Sequence, residues 1–300
     1  MAYDANNSNA YNAGSEPGGM GNDVYTNLLA DAQFAAYETS LARQIVTTYD
    51  VGYNTGKVIQ VPVYSAVTAE TLTEGTNATA STSNAQAVNI TLGEIGTYFQ
   101  VTDLLRDAAE RDVMADLGYS AGRAIGEKMD SDVFALFNSF TASVGTEDSA
   151  ITLDNVLEAV ATLRAAKVAG PLYGVLGPRQ ALQLKKEMTI DATIPVAYHN
   201  KGTDIILTNA LGYFAGVQWF ESSLVKSDLN SNSGSGDTEV NMVGAVFAPS
   251  AIGHAMRGGI RMETQRQASH RSTEIMMTAT VGQSILQNSH GVKIVGSASD

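Results

Sequence analysis

The chain has 300 residues, 18 basic against 31 acidic, a formal net charge of −13 and 44% hydrophobic residues. That is enough apolar material for a substantial core, while the negative balance repels nucleic acid and anionic membranes and excludes a direct nucleic-acid reader. The absence of cysteine excludes disulfides, thiolate metal sites and a thiol nucleophile.

Residues 1–22 are rich in Asn, Gly, Ala and Ser. With almost nothing apolar to bury, they are expected to form an arm. They also lack the basic start and apolar stretch of a signal peptide, and no later run approaches the ~18 apolar residues of a membrane span. A soluble chain is expected. Asp23 is placed to cap a helix whose Tyr25, Leu28, Leu29, Ala32, Ala36 and Tyr37 form one apolar stripe.

Alternation of Val58, Ile59, Val61 and Val63 predicts a strand over 57–64. Val88, Ile90 and Leu92 predict a second strand facing it, with Ile95, Thr97, Phe99 and Val101 following. Between them, residues 68–84 are polar and hold a single Leu72. Two isolated strands are marginal in water, so this hairpin is expected to need support from elsewhere, either as a mobile loop or as an arm across a neighbouring subunit.

Residues 103–140 contain no proline and are dense in helix formers, which predicts one very long helix. At 1.5 Å per residue it would span ~57 Å, against about 50 Å for a compact globule of this size. Its positions Leu105, Ala109, Val113, Leu117, Ala121, Ile125, Met129 and Val133 recur every four residues, so the stripe winds. Gly118, Gly122 and Gly126 share that spacing. At roughly 1 kcal/mol each relative to Ala, they imply close backbone approach or a bend.

Residues 141–149 read as a loop, after which Thr152 caps a helix through Val156, Leu157, Val160, Leu163 and Val168, ended by Gly170 and Pro171. A short buried strand over 173–176 turns at Gly177 and Pro178 into a helix over 179–188. Strands are expected at 204–207 and 217–221, a polar loop without periodicity at 226–238, and strands at 240–247, 260–263, 273–285 and 292–295. The alternation describes an α+β chain.

No phosphate-binding GxxxxGK[ST] loop, GxSxG elbow, HExxH pair or DxDxDG calcium loop occurs. His199, His254, His270 and His290 are scattered, with no i, i+4 pair. The reading is therefore of a non-enzyme without metal or cofactor. Arg257, Arg261, Arg266 and Arg271 cluster near Glu263 and Glu274. They read either as a solvated strand face with weak ion pairs or as an intersubunit contact, for which Glu70 and Glu74 on the hairpin are candidate partners.

Five segments carry a resemblance, in order along the chain: TGKVIQVPV at 55–63 with Glu74 and Gly75 beyond it, VTDLLRDA at 101–108, VLGPRQALQLKK at 175–186, LGYFAGVQWFESSLV at 211–225, and IRMETQRQASHRSTEIMMTATVGQSIL at 260–286. Together they resemble the major capsid proteins of tailed double-stranded-DNA phages, whose fold is named for the Hong Kong 97 phage. The resemblance implies an N-terminal arm and helix (1–55), an extended loop (56–102), a peripheral domain with its spine helix (103–150), an axial domain (151–259) and return strands (260–300). It further implies self-assembly into hexamers and pentamers of an icosahedral head enclosing double-stranded DNA, without sequence-specific binding. The head would be built in the host cytoplasm and found in the virion.

Partners implied are a separate scaffolding protein, since only about 22 polar residues precede the helix, a portal protein and a decoration or cement protein. Some family members weld their shells through a loop lysine. The tract 68–84 has none and Lys57 sits at its base, so no covalent crosslinking is expected. An encapsulin-type nanocompartment shell of the same fold is the alternative, and an enzyme with an unrecognised site is a third reading.

Overall fold

The computed structural model describes residues 28–36, 40–53, 56–64, 67, 69–71, 74–75, 77, 85–108, 113–190, 211–225, 227–229 and 240–297. Asp23, His199 and the strand expected at 204–207 lie outside them.

Two sheets and a free-standing hairpin organise the chain. The first sheet joins β1 (Thr47–Val51), β11 (Ile252–Gln267), β12 (Ser272–Ile285) and β4 (Gly93–Thr102) in the order β1-β11-β12-β4. β1 runs parallel to β11, and the other pairs are antiparallel. One face is apolar because Ile275, Met277, Ala279 and Val281 alternate along β12; it packs on helix α1 (28–36) and helix α4 (Val113–Ala135) through Leu28, Ala32, Ala36, Ile125 and Met129. β11 is far longer than the strand expected at 260–263. Gly258, at φ +65°, lies where the register shifts between Arg257 and Arg261, so the chain passes Gly258 and Gly259 by a β-bulge and does not break.

The second sheet runs β5 (Ala142–Val144), β13 (Gly291–Ser297), β10 (Val240–Phe247), β6 (Leu172–Leu176), β8 (Val217–Glu221) and β7 (Tyr213–Phe214), with β9 (Ser227–Leu229) also on β10. Helices α5 (Leu153–Ala165) and α6 (Pro178–Ile190) cover it, burying Val156, Leu163, Ala181 and Leu184 against Leu172, Val217 and Trp219. Two expectations are corrected here. The polar segments 141–149 and 226–238 each contribute a short strand, β5 and β9, whose backbone finds partners in β13 and β10; ladder hydrogen bonds override weak local propensity. Helix α5 also ends earlier than expected, because Lys167 turns left-handed at φ 57° before Gly170 is reached.

Between the sheets lies a third cluster in which Phe134, Phe137, Phe140 and Phe247 meet Ile45, Val175 and Ile252. The aromatic rings of Phe134 and Phe137, and of Phe137 and Phe247, lie with centroids 5.4 Å apart, a favourable tilted geometry. The helix expected over 103–140 is helical over α3 (Asp103–Ala108) and α4, then tightens into a 3-10 turn at Leu136–Ser139. Residues 109–112 lie outside the described set. Thr152 caps α5 as its sequence suggests, its Oγ1 accepting the Asn155 N–H.

Candidate functional site

The spine helix α4 owes its close partner to its glycines. An added Cβ at Gly118 would meet Leu28, at Gly122 the backbone of Ala32, and at Gly126 the backbone of Ala36. Each contact advances four residues on both helices, so α1 and α4 lie parallel and in register along small-residue rows. The row ends in a polar clasp one step further on. Asp130, only 2% exposed, accepts hydrogen bonds from Ser40 Oγ at 2.7 Å and from the backbone N–H groups of Leu41 at 2.8 Å and Ala42 at 3.1 Å. Those amides open helix α2 (Ala42–Ile45), so Asp130 satisfies a helix N-terminus from across the fold. Burial raises its pKa, and the three hydrogen bonds partly offset that rise. Sequence reading missed Asp130; the signal was its place in the row of Gly118, Gly122 and Gly126.

The hairpin of β2 (Val58–Tyr64) and β3 (Ala85–Thr91) pairs antiparallel, Val61 opposite Val88, as its alternation predicts. Among the described residues, the root is the part that is packed. Ile90 and Leu92 are buried with Ala255 and packed by Tyr49, Val51, Ile59, Val61 and Leu286, and Leu92 N–H donates to the Lys57 carbonyl at 2.9 Å. Further out, Tyr64 is 66% and Val67 61% exposed, and Glu70 and Glu74 are exposed in the tip.

The four clustered arginines are distributed along β11 and the turn that follows it. Arg257 donates to the Gly56 carbonyl at the hairpin root, and the Arg261 guanidinium sits 4.7 Å over the Tyr53 ring. Arg266 makes a two-toothed pair with Asp103, both contacts at 2.6 Å. Arg271 occupies the turn between β11 and β12 in a left-handed conformation, φ 47° and ψ 47°. Asp103 was not singled out by sequence. It stands at the start of α3, where a carboxylate is favoured, and its backbone N–H also donates to the Arg271 carbonyl at 2.9 Å.

The described histidines do not gather. His254 is 3% exposed in β11, between Thr48 of β1 and Gln283 of β12. Burial, then the charge of Arg43, pushes its pKa down to about 4 against the opposing pull of Asp50. His290 Nδ1 pairs with Ser250 Oγ at 2.7 Å, and His270 lies in the β11–β12 turn. Among the described residues no three His, Asp or Glu side chains form a metal-binding group, and no helix is long and apolar enough to cross a membrane.

A polar-tipped hairpin, a spine helix locked to an N-terminal helix, and two sheets sharing one aromatic junction define the capsid fold of the Hong Kong 97 type. Solved structures of that kind match over most of the chain. A Mycobacterium phage Che8 structure aligns at TM-score 0.62 with 16% identity over 80% of this chain and 85% of that one. The capsid of Helicobacter pylori bacteriophage KHP30 aligns at 0.66 with 12% identity over 84% and 87%. A virus-like particle from Pyrococcus furiosus aligns at 0.57 with 10% identity over 90% and 98%. At such identities these likenesses show the fold. Curated protein sequences give no match. The sequence itself matches the phage capsid protein family over residues 85–275, and the chain belongs to that family. It is a major capsid protein, a structural subunit of a self-assembling shell in the virion.

Proposed function

We propose that the chain assembles into hexamers and pentamers of an icosahedral head that encloses double-stranded DNA, holding it without sequence-specific contacts and without catalysis. The observation that carries this reading is the hairpin whose root is buried while Tyr64 and Val67 stand bare; a neighbouring subunit supplies the surface its own chain does not. In this reading residues 56–102 are the extended loop, 103–150 carry the spine of the peripheral domain, 151–259 form the axial domain, and 260–300 return. Glu70 and Glu74 face Arg257 and Arg261 of a neighbouring copy, while Arg266 is held by its own Asp103.

The net charge of −13 suits a container from which tightly packed DNA must later leave. Assembly takes place in the host cytoplasm with a separate scaffolding protein and a portal protein, and a decoration protein binds the finished shell. The test is to replace residues 68–84 with a short turn and compare shell yield with subunit melting. Lost shells with unchanged melting support the reading; unchanged shells refute the loop's role. Native particles rich in cargo enzyme and free of genome would instead establish a nanocompartment shell.

A further inference from the structure

The outward face of the first sheet carries a cleft that the described residues leave open. Register places Glu263 opposite Met276 and Met276 opposite Tyr98, with Gln265 opposite Glu274 in the next row. Side chains alternate across a strand, so these residues share the face turned away from buried Ile275 and Met277. They line, with Thr264, a cleft of about 220 Å³. Tyr98 is 59% and Met276 46% exposed. The Tyr98 hydroxyl bonds to Glu274, which holds the phenol above its usual pKa, and Glu263 is exposed at the rim. Two carboxylates, an aromatic ring and a thioether together suit a guanidinium, a planar cation that pairs with carboxylate and lies on apolar or aromatic surface.

The cation that fits is offered by the same hairpin. Arg271 stands at the turn three residues before Glu274 with its side chain unpartnered among the described residues, and its backbone is fully engaged: N–H to the Ala268 carbonyl at 3.2 Å, carbonyl to the Asp103 N–H. Asp103 clasps Arg266 as well, so the turn is fixed and the guanidinium is presented from a rigid base. A left-handed arginine costs about 1 kcal/mol or more where glycine would cost little, and such positions cluster where a side chain is used.

The geometry points to an intersubunit contact in which Arg271 of one copy enters the Glu263, Glu274 and Tyr98 cleft of a second copy. It rests on the shell reading and adds a contact distinct from that of the extended loop. Because knob and cleft lie on one hairpin, every subunit can give one arginine and receive one, as a repeated contact between identical copies requires.

Charge reversal tests it. Arg271→Glu and Glu263→Arg are made singly and together, and shells from identical preparations are quantified by sedimentation and electron microscopy, with thermal melting of dispersed subunits as a folding control. Each single variant is expected to cut shell yield at least tenfold with melting unchanged, and the double variant to restore most of it. Wild-type yield from Arg271→Glu, or a double variant no better than either single one, overturns the contact while wild-type shells leave the capsid reading standing. Wild-type chains that form only small discrete oligomers overturn both.

Discussion

Gly122→Ala probes the junction between the N-terminal helix and the spine. The added methyl would lie 2.7 Å from both Cα and the carbonyl carbon of Ala32, where ordinary contact begins at 3.4 Å. Backbone cannot rotate aside as a side chain can, so α1 and α4 must part by the better part of an ångström along their length. Overpacking of this kind costs typically ~1–3 kcal/mol, against a gain of about 1 kcal/mol from replacing a helical glycine. The neighbouring glycines provide the controls. At Gly118 the nearest obstacle is the Leu28 side chain, which can turn, and at Gly126 the nearest atom is 3.0 Å away. Urea unfolding followed by circular dichroism should therefore rank Gly122→Ala lowest, up to about 2 kcal/mol below wild type, with Gly118→Ala and Gly126→Ala near neutral. Protease digestion should release the first 40 residues of Gly122→Ala fastest. If all three variants instead gain about 1 kcal/mol alike, as solvent-facing helix glycines would, the close crossing is wrong.

Asp130→Ala removes the acceptor of Ser40, Leu41 and Ala42 together and should cost about 3 kcal/mol, since each buried donor left unmade costs about 1–3 kcal/mol; Ser40→Ala should cost only about 1 kcal/mol by the same measurement. His254 is neutral in the fold with its pKa lowered from 6.5 to about 4. The unfolded chain then takes up a proton first as pH falls, so its contribution is present above pH 6.5 and lost on descent toward pH 4. At about 1.36 kcal/mol per unit, the whole loss is about 3 kcal/mol. The difference in unfolding free energy between wild type and His254→Gln should change by that amount across this window, and a flat difference would contradict the buried, neutral assignment. Denaturing electrophoresis of assembled shells should show monomer alone, because residues 68–84 hold no lysine; a covalent ladder would contradict this.

Periodicity was most informative where an element buries one face unaided. β8 and β10 fall at their expected bounds, and α6 starts at its proline, because apolar alternation and turn chemistry act locally. The glycine row announced a close approach but not its partner, which lies ninety residues earlier in Leu28, Ala32 and Ala36. β1, β5 and β9 were illegible for a different reason: they are runs of three to five residues with too little apolar alternation to read alone, and partner strands distant in sequence make them strands. The strand expected at 260–263 is only the middle of β11, because a bulge between Arg257 and Arg261 carries the strand through Gly258 and Gly259. Among the candidate contact residues, sequence located the arginine cluster but not Asp103, the acid that takes up Arg266 in the same chain.

In the proposed shell each copy of this chain is completed by its neighbours. Cryo-electron microscopy of the expressed chain, alone and with its scaffolding protein, tests it most directly. Closed shells, or free hexamers and pentamers, are expected, with the β2–β3 hairpin lying on a neighbouring subunit. A monodisperse small oligomer under both conditions, with the hairpin folded on its own chain, would contradict it.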